Sequence, residues 1–322
     1  MNLKKKIVCT AAASFLFMTS VNFADVPRTS WGTPDLQGVW TGATVTPLER
    51  PQTLEDKPFL TEEERRIIEK DREDFFLSRS ANPDPGTPGG YNRFWLDPGT
   101  VTLDDGRSSL IVDPPSGRIP WHPEEKQWSD SQSARYGVGP FNDYTDLDTG
   151  ERCISDGITM VALQPYNMNY QIVQTEDTII IAHEMYHEFR VIPLNDQPFI
   201  SDKIGQWLGD ARAHWEGDTL VIESRNFADK RHYYWAWPWR SARGSLTLIE
   251  RLTRLDETNM DYEVILDDPE LFTQPWTISA PMTTDQASRG VTAGPLFEFA
   301  CHEGNYALPN VLRGAQMESS PD

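Results

Sequence analysis

Beyond residue 169 the chain is written in short blocks of alternating apolar and polar side chains, separated by brief polar turns. Successive side chains of a strand point to opposite faces, so this alternation predicts half-buried β-strands. The candidates run from Asn169 to Gln174, Thr178 to Ile192, Asp210 to Trp215, Thr219 to Ser224, Leu246 to Arg254, Asp261 to Leu266, Trp276 to Ser279 and Leu296 to Cys301. Thr175-Glu176-Asp177, Glu216-Gly217-Asp218 and Asp256-Glu257-Thr258-Asn259 read as tight connections, and strands joined this way form antiparallel hairpins. A meander of this kind closes into a barrel, with a two-sheet sandwich as the alternative.

The first half of the chain is less regular. Pro- and Gly-punctuated text from Val26 to Arg50 surrounds one short strand, Leu36 to Thr46. Thr61 followed by Glu62-Glu63-Glu64 opens a helix, because Thr61 can cap the first turn while Glu64 reaches back to it, and acidic residues suit the positive end of the dipole. That helix is expected to end near Ser78. Asn82 to Gly90 is a Pro/Gly loop, and a long irregular segment covers Pro114 to Ile154. The expected architecture for residues 25–322 is one mainly β domain, an antiparallel up-and-down barrel with one N-terminal helix and long covering loops.

Composition narrows the setting. With 11 Trp, 10 Tyr and 14 Phe the chain can bury a substantial core, and a formal charge of −20 repels nucleic acid and anionic membranes. Lys4-Lys5-Lys6, an apolar run from Ile7 to Phe17 and small residues ending at Ala24 read as a secretory signal peptide over residues 1–24, which places the mature chain in the periplasm or outside the cell. The apolar run is too short to span a bilayer, and no later segment reads as a membrane span. Cys153 and Cys301, the two cysteines beyond the leader, are expected to form one disulfide in an oxidising compartment, with two separately buried thiols as the alternative.

Residues His183 to His187 spell His-Glu-Met-Tyr-His, the HExxH string of zinc hydrolases. That motif needs a helix, where positions i and i+4 share a face. The flanks here, Ile179-Ile180-Ile181 and Phe189, Val191 and Ile192, have strand composition, and no Gly or Pro intervenes before Pro193. In one continuous strand rising about 3.3 Å per residue the two histidines would stand roughly 13 Å apart, too far to share a zinc ion. No metal site is therefore expected. No Gly-rich phosphate loop, dinucleotide fingerprint or serine nucleophile elbow occurs either, so no cofactor is expected.

The string Thr33-Pro34-Asp35-Leu36-Gln37, running into Gly38-Val39-Trp40, resembles the opening of a broad family of exported bacterial proteins of unassigned function. Ser109 to Pro115, Asn169 to Gln174, Trp215 to Val221, Phe272 to Trp276 and Cys301 to Tyr306 carry the same likeness along nearly the whole mature chain. Gly-x-Trp near the first strand, followed by a meander, also looks like the lipocalin-type barrels. That resemblance implies an up-and-down barrel with a ligand cavity.

Several polar residues could carry chemistry. Asp210, Arg212 and His214 alternate with Ala211 and Ala213, which makes them either an acid/base row inside a cavity or a solvated face with the alanines packed inward. On the 178–192 strand, Ile179, Ile181, His183, Met185, His187 and Phe189 form the more apolar face, and Glu184 could join His187 only if a bulge re-aims it. His302 and Glu303 follow Cys301, and a disulfide would pin them near Arg152 and Cys153. Tyr166, Asn167 and Asn169 lead into a strand and could orient a ligand. Trp235, Trp237 and Trp239, in the aromatic run from His232 to Arg240, could form a stacking surface or lid at the barrel mouth.

The leading functional expectation is an exported barrel enzyme doing acid/base chemistry of lyase, hydratase, isomerase or hydrolase type on a neutral small organic or sugar-like molecule. Glu184 and His187 would carry protons, Asp210 would orient a partner, Arg212 would stabilise negative charge, and His302 or Glu303 would be the second acid/base group. The alternative is a non-catalytic small-molecule or carbohydrate-binding protein using the Trp run, and a zinc hydrolase comes third.

Overall fold

The chain folds around one twisted antiparallel sheet that curls until its two ends nearly meet. The computed structural model describes residues 26–78, 97–155, 157–161, 166, 168–195, 197–228, 239 and 243–319, with the backbone alone at 187, 318 and 319. The strands are β1 (Gly38–Thr41), β2 (Ile111–Asp113), β3 (Asn169–Gln174), β4 (Thr178–His183), β5 (Phe189–Pro193), β6 (Asp210–Glu216), β7 (Thr219–Arg225), β8 (Thr247–Arg254), β9 (Asn259–Asp267), β10 (Trp276–Ser279) and β11 (Met282–Thr283). Around the barrel they run β5-β4-β3-β1-β11-β9-β8-β7-β6, with β10 bridging β9 to β2. β5 and β6 are the two ends of this path, and no ladder joins them. The result is a nearly closed, lipocalin-like barrel.

Alternation in the sequence becomes alternation of burial. In β8, Leu248, Glu250, Leu252 and Arg254 face inward, and in β9 Met260, Tyr262, Val264 and Leu266 do. The β6–β7 turn is tight because Gly217 takes a left-handed φ of 62°, free of Cβ strain, so Glu216 pairs directly with Thr219.

One end of the barrel is plugged. The Trp40 indole is fully buried, its Nε1 donates to the Leu36 carbonyl at 2.9 Å, and the Arg254 guanidinium lies 5.5 Å from its ring centroid. Arg254 also donates to the carbonyls of Asp35, Asp256 and Glu257, and the Gln174 side chain accepts from Leu36 N, so the hairpin turns at this end are tied to the segment before β1. The opposite end carries the β4–β5 turn, the start of β6, the end of β7 and the start of β8.

Three helices flank the barrel among the described residues: α1 (Glu62–Ser78), α2 (Pro123–Arg135) and α3 (Ala307–Ser319). The first matches the sequence reading. Glu64 N donates to Thr61 Oγ1 at 3.3 Å and Thr61 N to Glu64 Oε2 at 2.8 Å, the reciprocal box expected. The Lys57 ammonium, and then the Thr61 donors, hold the Glu64 carboxyl down at about 2. Its contribution is therefore present above the ordinary carboxylate range and is lost as pH falls toward that value. Thr61→Ala is expected to cost about 1 kcal/mol, read as a lower urea midpoint at neutral pH.

The other two helices correct the expectation of a single N-terminal one. α2 lies in the segment read as irregular: Pro123 at its first turn, Glu124 and Glu125 beside it and Arg135 in the last turn are sound helix signals, but its face is so polar that no apolar period shows. The expected strand from Leu296 to Cys301 does not form, and that stretch runs as irregular chain into α3. The sulfurs of Cys153 and Cys301 stand at bonding distance, with Cα atoms 5.7 Å apart, as a disulfide requires. Among the described residues no helix is long and apolar enough to cross a membrane.

Candidate functional site at the barrel seam

The segment expected as one long strand is a hairpin. β4 ends at His183, the chain reverses through a 3-10 turn at Met185–His187, and β5 returns beside it with Ala182 opposite Phe189. The reversal needs a left-handed residue, and Tyr186 supplies it at φ 57°. HExxH therefore begins on the last residue of β4 and continues into a 3-10 turn, and the 13 Å separation expected of one extended strand does not apply. Among the described residues no three His, Cys, Asp or Glu side chains are grouped to hold a metal ion.

The turn also shifts the phase of the chain. Ile179, Ile181 and His183 face inward on β4, whereas Arg190 and Ile192 do so on β5 and leave Phe189 and Val191 exposed. Phe189, expected on the buried face, is 65% exposed, and Arg190, expected on the polar face, is only 5% exposed. Glu184 fixes this geometry. Its carboxylate accepts from Asn169 N at 3.1 Å, Asn169 Nδ2 at 2.9 Å and Phe297 N at 2.9 Å, which ties the hairpin tip to the start of β3 and to the chain before Cys301. His183, buried beside it, meets the Tyr170 ring edge-on at 4.9 Å.

Behind the tip lies a buried polar network. Arg190 Nη2 donates to Glu250 Oε2 at 2.5 Å and Ser224 Oγ at 2.9 Å, Tyr262 OH donates to Glu250 Oε1 at 2.7 Å, and Met160 N donates to the Tyr262 hydroxyl at 3.1 Å. Burial alone would pull the Arg190 pKa down, and the adjacent Glu250 charge more than offsets it, leaving it raised. Burial, with Glu250 next to it, pushes the Tyr262 hydroxyl well above its usual value, so it stays protonated. The pair spans the unladdered gap, from β5 on one side to β7 and β8 on the other. Two Arg190 donors, Nε and Nη1, are buried and have no hydrogen-bond acceptor.

Arg190 stands in the wall of a cavity of about 500 Å³ that follows this gap. Tyr186, Glu188, Phe189 and Val191 line it from the β4–β5 side, and Trp207, Gly209, Asp210 and Ala211 from the β6 side. Glu188 Oε2 accepts from Ser155 Oγ at 3.2 Å. The cavity thus offers apolar walls and two carboxylates, Glu188 and Asp210, with the buried Arg190 in its wall.

The residues singled out from sequence are distributed around this region without converging on one point. Asp210 lines the seam cavity, but its carboxylate is engaged by Arg212 Nη1 at 2.6 Å and Ile200 N at 2.8 Å. Arg212 is a brace, donating also to the carbonyls of Gln197, Pro198 and Ala211. Ala211 and Ala213 pack inward and His214 is exposed, while Asp210 is buried and Arg212 half-buried, so the row is neither a cavity-lining trio nor a uniformly solvated face. Glu184 lines a separate cavity of about 400 Å³, and Glu303 and Tyr166 line a third of about 420 Å³. His302 is exposed, and Asn169 is spent on Glu184. Trp239 is buried with its ring edge-on to Trp276 at 5.7 Å, so it belongs to the core. Trp235, Trp237, Asn167 and the His187 side chain lie outside the described residues.

Compared with protein-family models, curated proteins and solved structures, the chain matches none. The seam residues Arg190, Glu250 and Tyr262 were missed by the sequence reading. Glu250 and Tyr262 did leave a signal, since each occupies a buried register position, between Leu248 and Leu252 and between Met260 and Val264. A carboxylate in the apolar register of a strand must meet a partner.

Proposed function

We propose that the protein is an exported, periplasmic or secreted, lipocalin-like barrel that binds a neutral small molecule bearing an acceptor oxygen, such as an ester, lactone, amide or sugar, in the cavity between β5 and β6. The observation that carries this reading is Arg190, which has two buried donors without acceptors and a charge already balanced by Glu250. A balanced guanidinium offers directional hydrogen bonds while exerting little net pull on an anion. Phe189, Val191 and Trp207 supply apolar contact for the body of the ligand. The basic and apolar residues 4–24, read as a signal peptide, support the placement outside the cytoplasm, as does the cysteine pair.

A thermal-shift screen of neutral oxygenated small molecules tests the proposal, followed by titration of any hit. Hits are expected to lose at least about tenfold in affinity when Arg190→Met is combined with Glu250→Gln, a loss equivalent to one hydrogen bond to a charged group. A hit that binds the double variant unchanged would show that recognition lies elsewhere.

Acid/base turnover on the same molecule is the second reading, favoured by Glu188, which is shared by the seam cavity and the neighbouring 400 Å³ cavity. Conversion of a bound hit that disappears in Glu188→Gln while binding persists would establish it. Binding without turnover leaves the carrier.

A further inference from the structure

The cavity of about 420 Å³ on the other side of Tyr186 has a different chemistry. Its walls combine Tyr166, Tyr186 and Phe299 with the carboxylates of Glu151 and Glu303 and an aliphatic floor that includes Leu147, Leu308 and Val311. Phe299 is the common wall, nearly parallel to Tyr166 with centroids 6.3 Å apart and tilted at 68° to Tyr186 at 4.8 Å. No Lys or Arg lines this cavity among the described residues. Arg152 donates its Nε to the Asp148 carbonyl at 3.1 Å, and Asp148 N donates to Glu151 Oε2 at 2.9 Å. Burial, opposed by the Asp148 N–H and only partly by Arg152, raises the Glu151 carboxyl above its usual range. The Cys153–Cys301 tie holds the two halves of the wall together, since Glu151 precedes Cys153 and Phe299 precedes Cys301.

We propose that this cavity is a second binding site, selective for a small organic cation of the alkylammonium or quaternary ammonium class. Ring faces attract a cation through their quadrupole, and the partly buried Glu151 with the exposed Glu303 supplies the countercharge. A sugar would also stack on such rings. Glu151 and Glu303 are the charged groups of the lining among the described residues, which favours a cation over a neutral polyol, and Arg152 beside Glu151 offsets its charge only in part.

The test is isothermal titration of the oxidised mature protein with choline chloride, with 3,3-dimethylbutan-1-ol as the uncharged isostere and ionic strength matched by sodium chloride. Choline is expected to bind saturably, and the isostere roughly tenfold or more weakly. Glu151→Gln and Phe299→Leu are each expected to weaken choline by about tenfold, and the exposed Glu303→Gln, which leaves packing untouched, by a few-fold. Should Phe299→Leu fail to fold, the two Glu variants decide. Absence of saturable choline binding, equal binding of the isostere, or unchanged affinity in both Glu variants would overturn the proposal. The Arg190→Met/Glu250→Gln double variant is expected to keep choline binding, so failure at one site is distinguishable from failure at the other.

Discussion

Glu250→Gln is expected to destabilise the protein by about 3–5 kcal/mol, because it leaves the Arg190 charge buried without its counterion. The amide has one acceptor where the carboxylate had two, for Arg190 Nη2 and Tyr262 OH, so the loss combines the missing charge with one missing acceptor. Arg190 is 4% exposed at its side chain and Glu250 not at all, so solvent screens the pair little. Adding Arg190→Met should recover most of the loss, since two isosteric neutral groups replace a desolvated ion pair. Urea unfolding of the parent, both single variants and the double variant forms the cycle. A Glu250→Gln loss below about 1 kcal/mol, the level of an exposed pair, would mean that the guanidinium reaches solvent through the seam.

Removing the cysteine tie should have an effect of similar size. The tie closes a loop of 148 residues, for which restriction of the unfolded chain contributes about 5 kcal/mol in the chain-entropy model. Its local role adds to this. The stretch before Cys301 carries Phe297, whose N–H donates to Glu184, so releasing Cys301 loosens the very segment that braces the β4–β5 tip. Cys153→Ser/Cys301→Ser is expected to lower the urea midpoint markedly and to speed amide exchange around residues 297–306 well before the barrel strands. A double variant as stable as the parent, or two thiols labelled without prior reduction, would refute the tie.

Local pattern made much of the fold legible. Asn169–Gln174 alternates cleanly and forms β3 over those residues, and Thr61 with Glu64 marks the start of α1. The β4–β5 hairpin was hidden because its turn uses Tyr186 in the left-handed region where Gly or Asn would announce it, and because apolar residues continue on both sides. Val191 and Ile192 are both apolar, so the one-residue phase shift leaves no trace in the alternation, yet it turns Arg190 inward. Which two strands fail to pair is a property of the closed sheet, set by contacts far apart in sequence. The seam cavity therefore had no local signature, although the carboxylate of Glu250 and the phenol of Tyr262 in apolar registers pointed to a buried polar partner.

The central claim is that Arg190 recognises an acceptor oxygen in the seam, and crystallography of the protein soaked with the strongest neutral hit tests it most directly. The expected result is ligand density between β5 and β6, with an oxygen about 3 Å from Arg190 Nε or Nη1 and the Arg190–Glu250 pair intact. Density at another cavity, with those two nitrogens bonded only to water or to the chain itself, would contradict it.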